Sequence, residues 1–256
     1  VFCDALLPQN EGGIRPITTT AREGSFFNPT FPASSGGRAT VQIRIFDVIN
    51  GALSQALPHR AMGAFSHWNN PNIGGTDPRT GKAFVMYDLG FAGYGARARS
   101  DGPEALAPVV NCRNIPVEVH EHNNPVRINR VELIPDSGGT GQYRGGCGLR
   151  KDIELLADEA TITLLGDRHK FAPYGLLGGN PGAKAQTILN PDGAAEALGS
   201  KSVHQLKRGD VVSFRLAGAG GYGNPADRDH EAIKRDLADE LISPEHAREN
   251  YGVDLD

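Results

Sequence analysis

Glycine is the residue that most limits what this chain can fold into. It fills 33 of 256 positions, about 13% against a usual ~7%. The glycines gather in local clusters with no fixed period, which excludes collagen and low-complexity disorder. Such clusters belong where a backbone turns sharply or approaches another backbone closely. Short β-rich runs separate them: Phe84–Leu89, Val109–Val119, Val126–Ile134, Leu149–Leu156, Thr161–Leu165, Ala185–Leu189 and Val211–Leu216. Turn sequences such as Asp136-Ser137-Gly138-Gly139, Asn190-Pro191-Asp192-Gly193 and Lys207-Arg208-Gly209-Asp210 lie between the runs.

Helical signals are few. Val41, Ile45, Val48, Ile49, Ala52, Leu53 and Leu57 form one stripe over Ala39–Leu57, ended by Pro58, and that stripe is expected to face the core. Asp229 reads as the N-cap of a C-terminal helix that turns Ala232, Ile233 and Leu237 inward, and Ser243-Pro244 as the start of another. The expected fold class is α+β: β-rich, with a central long helix near the N-terminus and short C-terminal helices. The opening Val-Phe-Cys-Asp-Ala-Leu-Leu has no initiator methionine and suits a helix tail stopped at Pro8. It reads as a chain entered partway through an element.

A net charge of −4 argues against nucleic acid as the main partner, and no apolar run approaches the ~18 residues of a membrane span. Three widely spaced cysteines, Cys3, Cys112 and Cys147, make no disulfide framework and point to a reducing, cytoplasmic setting.

Several motifs look chemical. Gly218–Gly223 (GAGGYG) matches the dinucleotide fingerprint, but 33 residues cannot complete a βαβ unit after it, so a glycine-rich wall of a binding site or subunit interface is the better reading. Gly75–Lys82 (GTDPRTGK) misses the phosphate-loop spacing and has Ala83 where Ser or Thr would meet Mg²⁺, so it reads as a hairpin loop. Glu118, His120 and His122 alternate on an expected strand, a usable spacing for Zn²⁺ or Mn²⁺, with a solvated strand face as the favoured alternative. On that strand Glu118 and Glu121 face opposite ways. The densest region runs from Asn111 to Gly182 and holds NCRNIPVE, PDSGGTGQYRGGCGLRKD and GDRHKFAPYGLLGGNPG. Arg144 and Arg168 there suit an anion clamp; tight turn packing, with the arginines on structural carbonyls, is the equal alternative.

These strings, with GGIRPI (Gly12–Ile17), SFFNPTFPA (Ser25–Ala33), KRGDVVSF (Lys207–Phe214), GAGGYGNPADRD (Gly218–Asp229) and SPEHARENYGV (Ser243–Val253), resemble the hydantoinase B/oxoprolinase B family collinearly. The resemblance makes residues 1–256 the C-terminal portion of such a subunit. It implies one part of an ATP-dependent cyclic-amide hydrolase, in a hetero-oligomer with a hydantoinase A-like ATP-binding subunit that holds ATP and Mg²⁺. An N-terminal half of the B subunit, holding any Zn²⁺ or Mn²⁺, and a small-molecule substrate are the other implied partners. No metal ligand carries over to this chain. The implied catalytic residues are Glu118, Asn114 and Asp88; the implied substrate-binding residues are Arg15, Asn111, Glu121, Asp136 and Arg168. Where relatives usually carry Glu, this chain has Asp88. An ATP-dependent ketone carboxylase subunit and a non-catalytic assembly subunit are the rival readings.

Overall fold

The computed structural model describes residues 10–34, 36–66, 68–107, 109 and 112–253. Cys3 and the opening segment up to Pro8 lie outside the described residues, as does Asn111. The elements run in the order α1 (Glu11–Ile14), α2 (Arg38–Leu53), β1 (Trp68–Asn69), β2 (Asn72–Thr76), β3 (Ala83–Tyr87), β4 (Gly90–Phe91) and α3 (Val117–Asn123). They continue with β5 (Val126–Ile134), β6 (Gly148–Leu155), β7 (Glu159–Leu165), β8 (Gln186–Leu189), β9 (Glu196–Leu198), β10 (Lys201–Lys207), β11 (Val211–Arg215), α4 (His230–Ala238) and α5 (Pro244–Tyr251). The fold is β-rich α+β.

Two antiparallel sheets carry the core. One has the order β10-β7-β2-β3, the other β5-β6-β11-β8-β9. Strand β7 alternates strictly, burying Ala160, Ile162 and Leu164, as period-two patterning demands of a half-covered sheet. Those three residues share one apolar cluster with Ile73 and Met86 of the same sheet and with Ile153, Leu155, Val212 and Phe214 of the other. Both sheets therefore turn their inner faces to a common core. The GTDPRTGK segment is the β2–β3 hairpin turn, where Asp77 accepts from the Arg79 amide. At the other end, Asp229 caps α4 and Ser243 caps α5 through their side chains, with Ile233 of α4 buried.

Two expectations fail. Val109–Val119 forms no strand: the described part is loop that enters α3 at Val117. Pro116 stands at the N-cap and Glu118 in the first turn, a local start that outweighs the β-branched run. Second, α2 faces the other way round. Ile43, Asp47 and Asn50 are buried among its described residues, while Val48, Ile49 and Leu53 of the expected core stripe are exposed. The buried polar residues are tied into the fold, Asp47 by ion pairs of its Oδ2 with Arg44 and Arg168. Asn50 donates to the Met62 carbonyl at 2.6 Å and accepts from the Met62 amide at 3.3 Å. The Tyr174 hydroxyl donates to the Asp47 carbonyl at 2.6 Å.

GAGGYG is neither an interface wall nor a nucleotide loop. Its residues are buried, and its six successive amides donate to three different segments of the chain. Gly218 reaches Ala183, Ala219 reaches Gly146, Gly220 reaches Ala64, Gly221 reaches Asn180, Tyr222 reaches Tyr143 and Gly223 reaches Leu176. Backbones can meet this closely only without side chains between them. A Cβ on Gly220 would sit on the Tyr174 carbonyl oxygen. Gly220→Ala is expected to cost about 3 kcal/mol or more, by overpacking against fixed backbone. Gly193→Ala, with nothing within 4 Å of the added carbon, should change stability by no more than about 0.5 kcal/mol. Paired urea unfolding curves measure both.

Candidate functional site

The first polar centre gathers around Asp88, which follows β3. Asp88 and His120 are 2% and 3% exposed, and Lys151 is also buried. His120, on α3, sets its Nε2 3.0 Å from Asp88 Oδ1; Lys151, on β6, donates from Nζ to Asp88 Oδ2 at 2.7 Å. The Leu89 amide completes the set by donating to Oδ1. Burial pushes the Asp88 carboxyl up, but the hydrogen bond with His120 and the Lys151 charge outweigh it and hold the group below its ordinary value. Three elements are thereby joined through one carboxylate.

Asn114 lies on the approach to α3 and clamps Phe91 of β4. It accepts from the Phe91 amide at 3.0 Å and donates to its carbonyl at 3.5 Å. Glu121 accepts from the Ile128 amide at 2.7 Å, fixing α3 to β5. Arg79 donates to the Glu121 and His122 carbonyls at the C-terminal end of α3. Glu118 is left exposed on the same helix. The expected alternation is thus replaced by helical spacing: Glu118 and Glu121, three apart, are neighbours on one side of α3 rather than opposed across a strand. His120, the middle member of the expected metal set, is turned to Asp88 instead, while His122 is exposed. Among the described residues no group of three His, Cys, Asp or Glu is placed to hold a metal ion.

A second centre lies under α2. Arg168 donates from Nε to the Ser66 carbonyl and from Nη2 to the Phe65 carbonyl, each at 3.0 Å, and it also bonds the Asp47 carboxylate. Arg44 sets Nη1 2.7 Å from Asp47 and Nε 3.0 Å from Asp167. Its guanidinium lies over the Phe65 ring. Burial raises the carboxyls of Asp47 and Asp167 against the pull of the two arginines. Burial and the like charge of Arg44 lower Arg168. Above this layer opens a cavity of about 530 Å³ walled by Phe26, Phe27, Val41, Ile45, Val48 and Phe171. Sequence reasoning finds Arg168 but misses Arg44, Asp47 and Asp167. The available signal is an Arg–Asp pair three apart inside an apolar helix.

The remaining expected site residues lie elsewhere. Asp136, with φ at 62°, accepts from the Ser243 amide at 2.7 Å and seats the start of α5. Arg15 is exposed after α1. Arg144, offered as an anion clamp, is buried and occupied by Glu104 at 2.8 Å and Asp236 at 3.4 Å. Burial pushes the neighbouring Cys147 thiol up to about 11, so it behaves as a small apolar residue.

The profile of the hydantoinase B/oxoprolinase family matches residues 1–225. The chain belongs to this family. It is 36% identical over 98% of its length to an uncharacterised protein of Methanocaldococcus jannaschii, of which it covers 44%. It is 29% identical over 100% of its length to caprolactamase subunit beta of Pseudomonas jessenii, covering 46% of that protein. The crystal structure of the ATP-dependent caprolactamase from the same organism superposes with a TM-score of 0.82 at 27% identity, over 98% of this chain and 46% of that one. The chain thus spans a little under half the length of these relatives. A nucleotide-free acetone carboxylase shares the fold, with a TM-score of 0.64 at 22% identity over 80% of this chain and 32% of that one. No described helix is long and apolar enough to cross a membrane.

Within this family fold, Asp88 is the testable lock. Its folded-state pKa lies below the ordinary 3.8, so its ion pairs stabilise fully above that value, and the stabilisation is lost as pH falls through the folded pKa. Asp88→Asn is expected to cost about 3–5 kcal/mol near neutrality, because it leaves the Lys151 ammonium buried without its carboxylate. Denaturant curves at pH 7 and at steps below pH 3.8 should show the wild type and variant converging as acid is added.

Proposed function

We propose that this chain is one part of a cytoplasmic, ATP-dependent cyclic-amide hydrolase, working with a hydantoinase A-like subunit that holds ATP and Mg²⁺. The observation that carries this reading is the likeness to the ATP-dependent caprolactamase, which extends over 98% of the chain at a TM-score of 0.82. The reading favours a hydrolase over a carboxylase because the carboxylase likeness, at 22% identity, speaks only for the fold.

An amide is a poor electrophile; transfer of the ATP γ-phosphoryl group to its oxygen activates the ring carbon, water adds there, the ring C–N bond breaks with the nitrogen taking a proton, and a second water releases phosphate from the acyl phosphate. The task left to this chain is to orient the ring and activate a nucleophilic water. Glu118 is the proposed general base. It is an exposed carboxylate on α3, and α3 is pinned on its other side by His120 to Asp88 and at its end by Arg79. Asp88 and Asn114 act as positioning residues, the first through His120 and the second through Phe91. Arg15, also exposed, and Asn111 complete the proposed substrate contacts. Glu121, Asp136 and Arg168 are bonded within the protein and serve by holding α3, α5 and α2 in place.

The test is an assay of the assembled enzyme with ATP and ε-caprolactam, a hydantoin or 5-oxoproline. Glu118→Gln should lower kcat by about 100-fold or more, the contribution of a positioned general base, with KM little changed. Asn114→Ala should shift kcat more than KM while the complex stays assembled. Ring opening that persists without this chain, or that ignores Glu118→Gln, would sink the reading.

A further inference from the structure

We infer that the outward apolar face of α2, together with Phe26, Phe27 and Phe171, is the seat of the polypeptide that completes the family's architecture. The inference rests on the reading of this chain as one part of a larger enzyme. It assigns the cavity under that face to an apolar ridge of the completing polypeptide, with an acidic group opposite Lys201.

The helix is apolar on the side turned away from its own core. Val48 is 69% and Ile49 51% exposed, beside Phe26 at 74%, Phe27 at 62% and Phe171 at 71%. A contiguous apolar surface of this kind marks an interaction site, whereas scattered apolar residues do not. The buried side of α2 is saturated by Asn50, Asp47 and Tyr174, so the helix cannot roll to hide the stripe without breaking those bonds.

The chemistry of the cavity selects a protein ridge over a polar metabolite. Beneath its walls, the guanidinium nitrogens of Arg44 and both carboxylate oxygens of Asp167 have almost no exposed surface. They meet their counter-charges as ion pairs within the layer. A ligand in the cavity therefore meets carbon, not these charges. Drying the site strengthens the ion pairs below it, and an apolar ridge dries it. Lys201 lines the same cavity, with its Nζ bonded to the Gly166 carbonyl at 2.9 Å. With two aspartates already opposing Arg44 and Arg168, Lys201 is the lining cation whose bond is to a neutral carbonyl, which suits an acidic partner group.

The family comparison supplies the occupant. The caprolactamase chain keeps this fold over 98% of the present chain while using only 46% of its own length. That relative's chain thus carries more polypeptide than the matched region, and α2 is the proposed seat of this remainder. A second copy of this chain is the competing occupant.

The experiment co-expresses this chain with the complementing family polypeptide and compares wild type, Ile49→Asp and Val48→Asp by native mass spectrometry and titration. Val85→Asp and Val203→Asp, exposed on β3 and β10, serve as controls. We expect a one-to-one complex whose dissociation constant rises at least about 100-fold in the α2 variants and stays within about threefold in the controls. Isolated variants should melt with the wild type, and hydroxyl-radical labelling of Phe26, Phe27 and Phe171 should fall in the complex. Equal binding by Ile49→Asp overturns the assignment, as does a particle built only from copies of this chain that Ile49→Asp splits. A lone monomer that binds no complementing polypeptide overturns it too. If the complex forms through α2 yet opens no cyclic amide with ATP, the hydrolase reading fails and the docking face stands.

Discussion

Direct backbone-to-backbone contact at Gly218–Gly223 ties the parts of this fold to one another. Six successive amides reach three separate stretches of chain, at Ala64, at Tyr143–Gly146 and at Leu176–Ala183, and carbonyls of the same segment receive bonds in return, as Gly220 does from Ala96 and Ala219 from Gly139. A buried segment outside regular sheet must satisfy every polar group it carries, and this one does so by becoming the common neighbour of its surroundings. The cost is conformational. Each such glycine loses more freedom on folding than any other residue, and the arrangement is stable only because the two-sheet core beside it buries enough apolar surface to offset that loss.

The charged groups follow a similar economy of position. Asp88 sits where β3 ends and joins α3 to β6; Asp47 and Asp167 join α2 to the segment after β7; Asp101 and Asp236 hold Arg228 beneath α4, at 2.8 and 2.5 Å. Each carboxylate bridges elements that are distant in sequence. Buried ion pairs add little net stability, since desolvation cancels most of the attraction, but a pair with one partner removed is severe. Their value here is in fixing one arrangement of elements, which leaves Glu118 and the outer face of α2 held at the surface.

The relation between α2 and the apolar cavity also shows why a shared fold need not mean a self-sufficient site. In the cavity beside α2 the guanidinium nitrogens of Arg44 and the carboxylate oxygens of Asp167 are almost wholly buried. The proposed general base, the exposed Glu118, is instead on α3. The curated relatives are more than twice as long as the matched region.

Much was legible in the sequence by itself. Short β-rich runs bounded by turn residues located most strands of both sheets, because β-branched residues and turn formers act locally. Asp229 and Ser243-Pro244 marked the C-terminal helices through purely local capping, and the collinear motifs identified the family. Three things needed the tertiary structure. Val117–Asn123 became a helix because its N-terminal signals and its contacts with Asp88, Arg79 and β5 outweigh the β-propensity of two valines. The direction in which α2 faces was set by which residues found partners: Asn50 is bonded to Met62 and Asp47 Oδ2 is paired with Arg44 and Arg168, which offsets part of the cost of burying them. Finally, GAGGYG has the spacing of a nucleotide loop, yet its meaning depends on what lies against it. In this chain that is other backbone, brought there from three distant segments, a relation that no local spacing encodes.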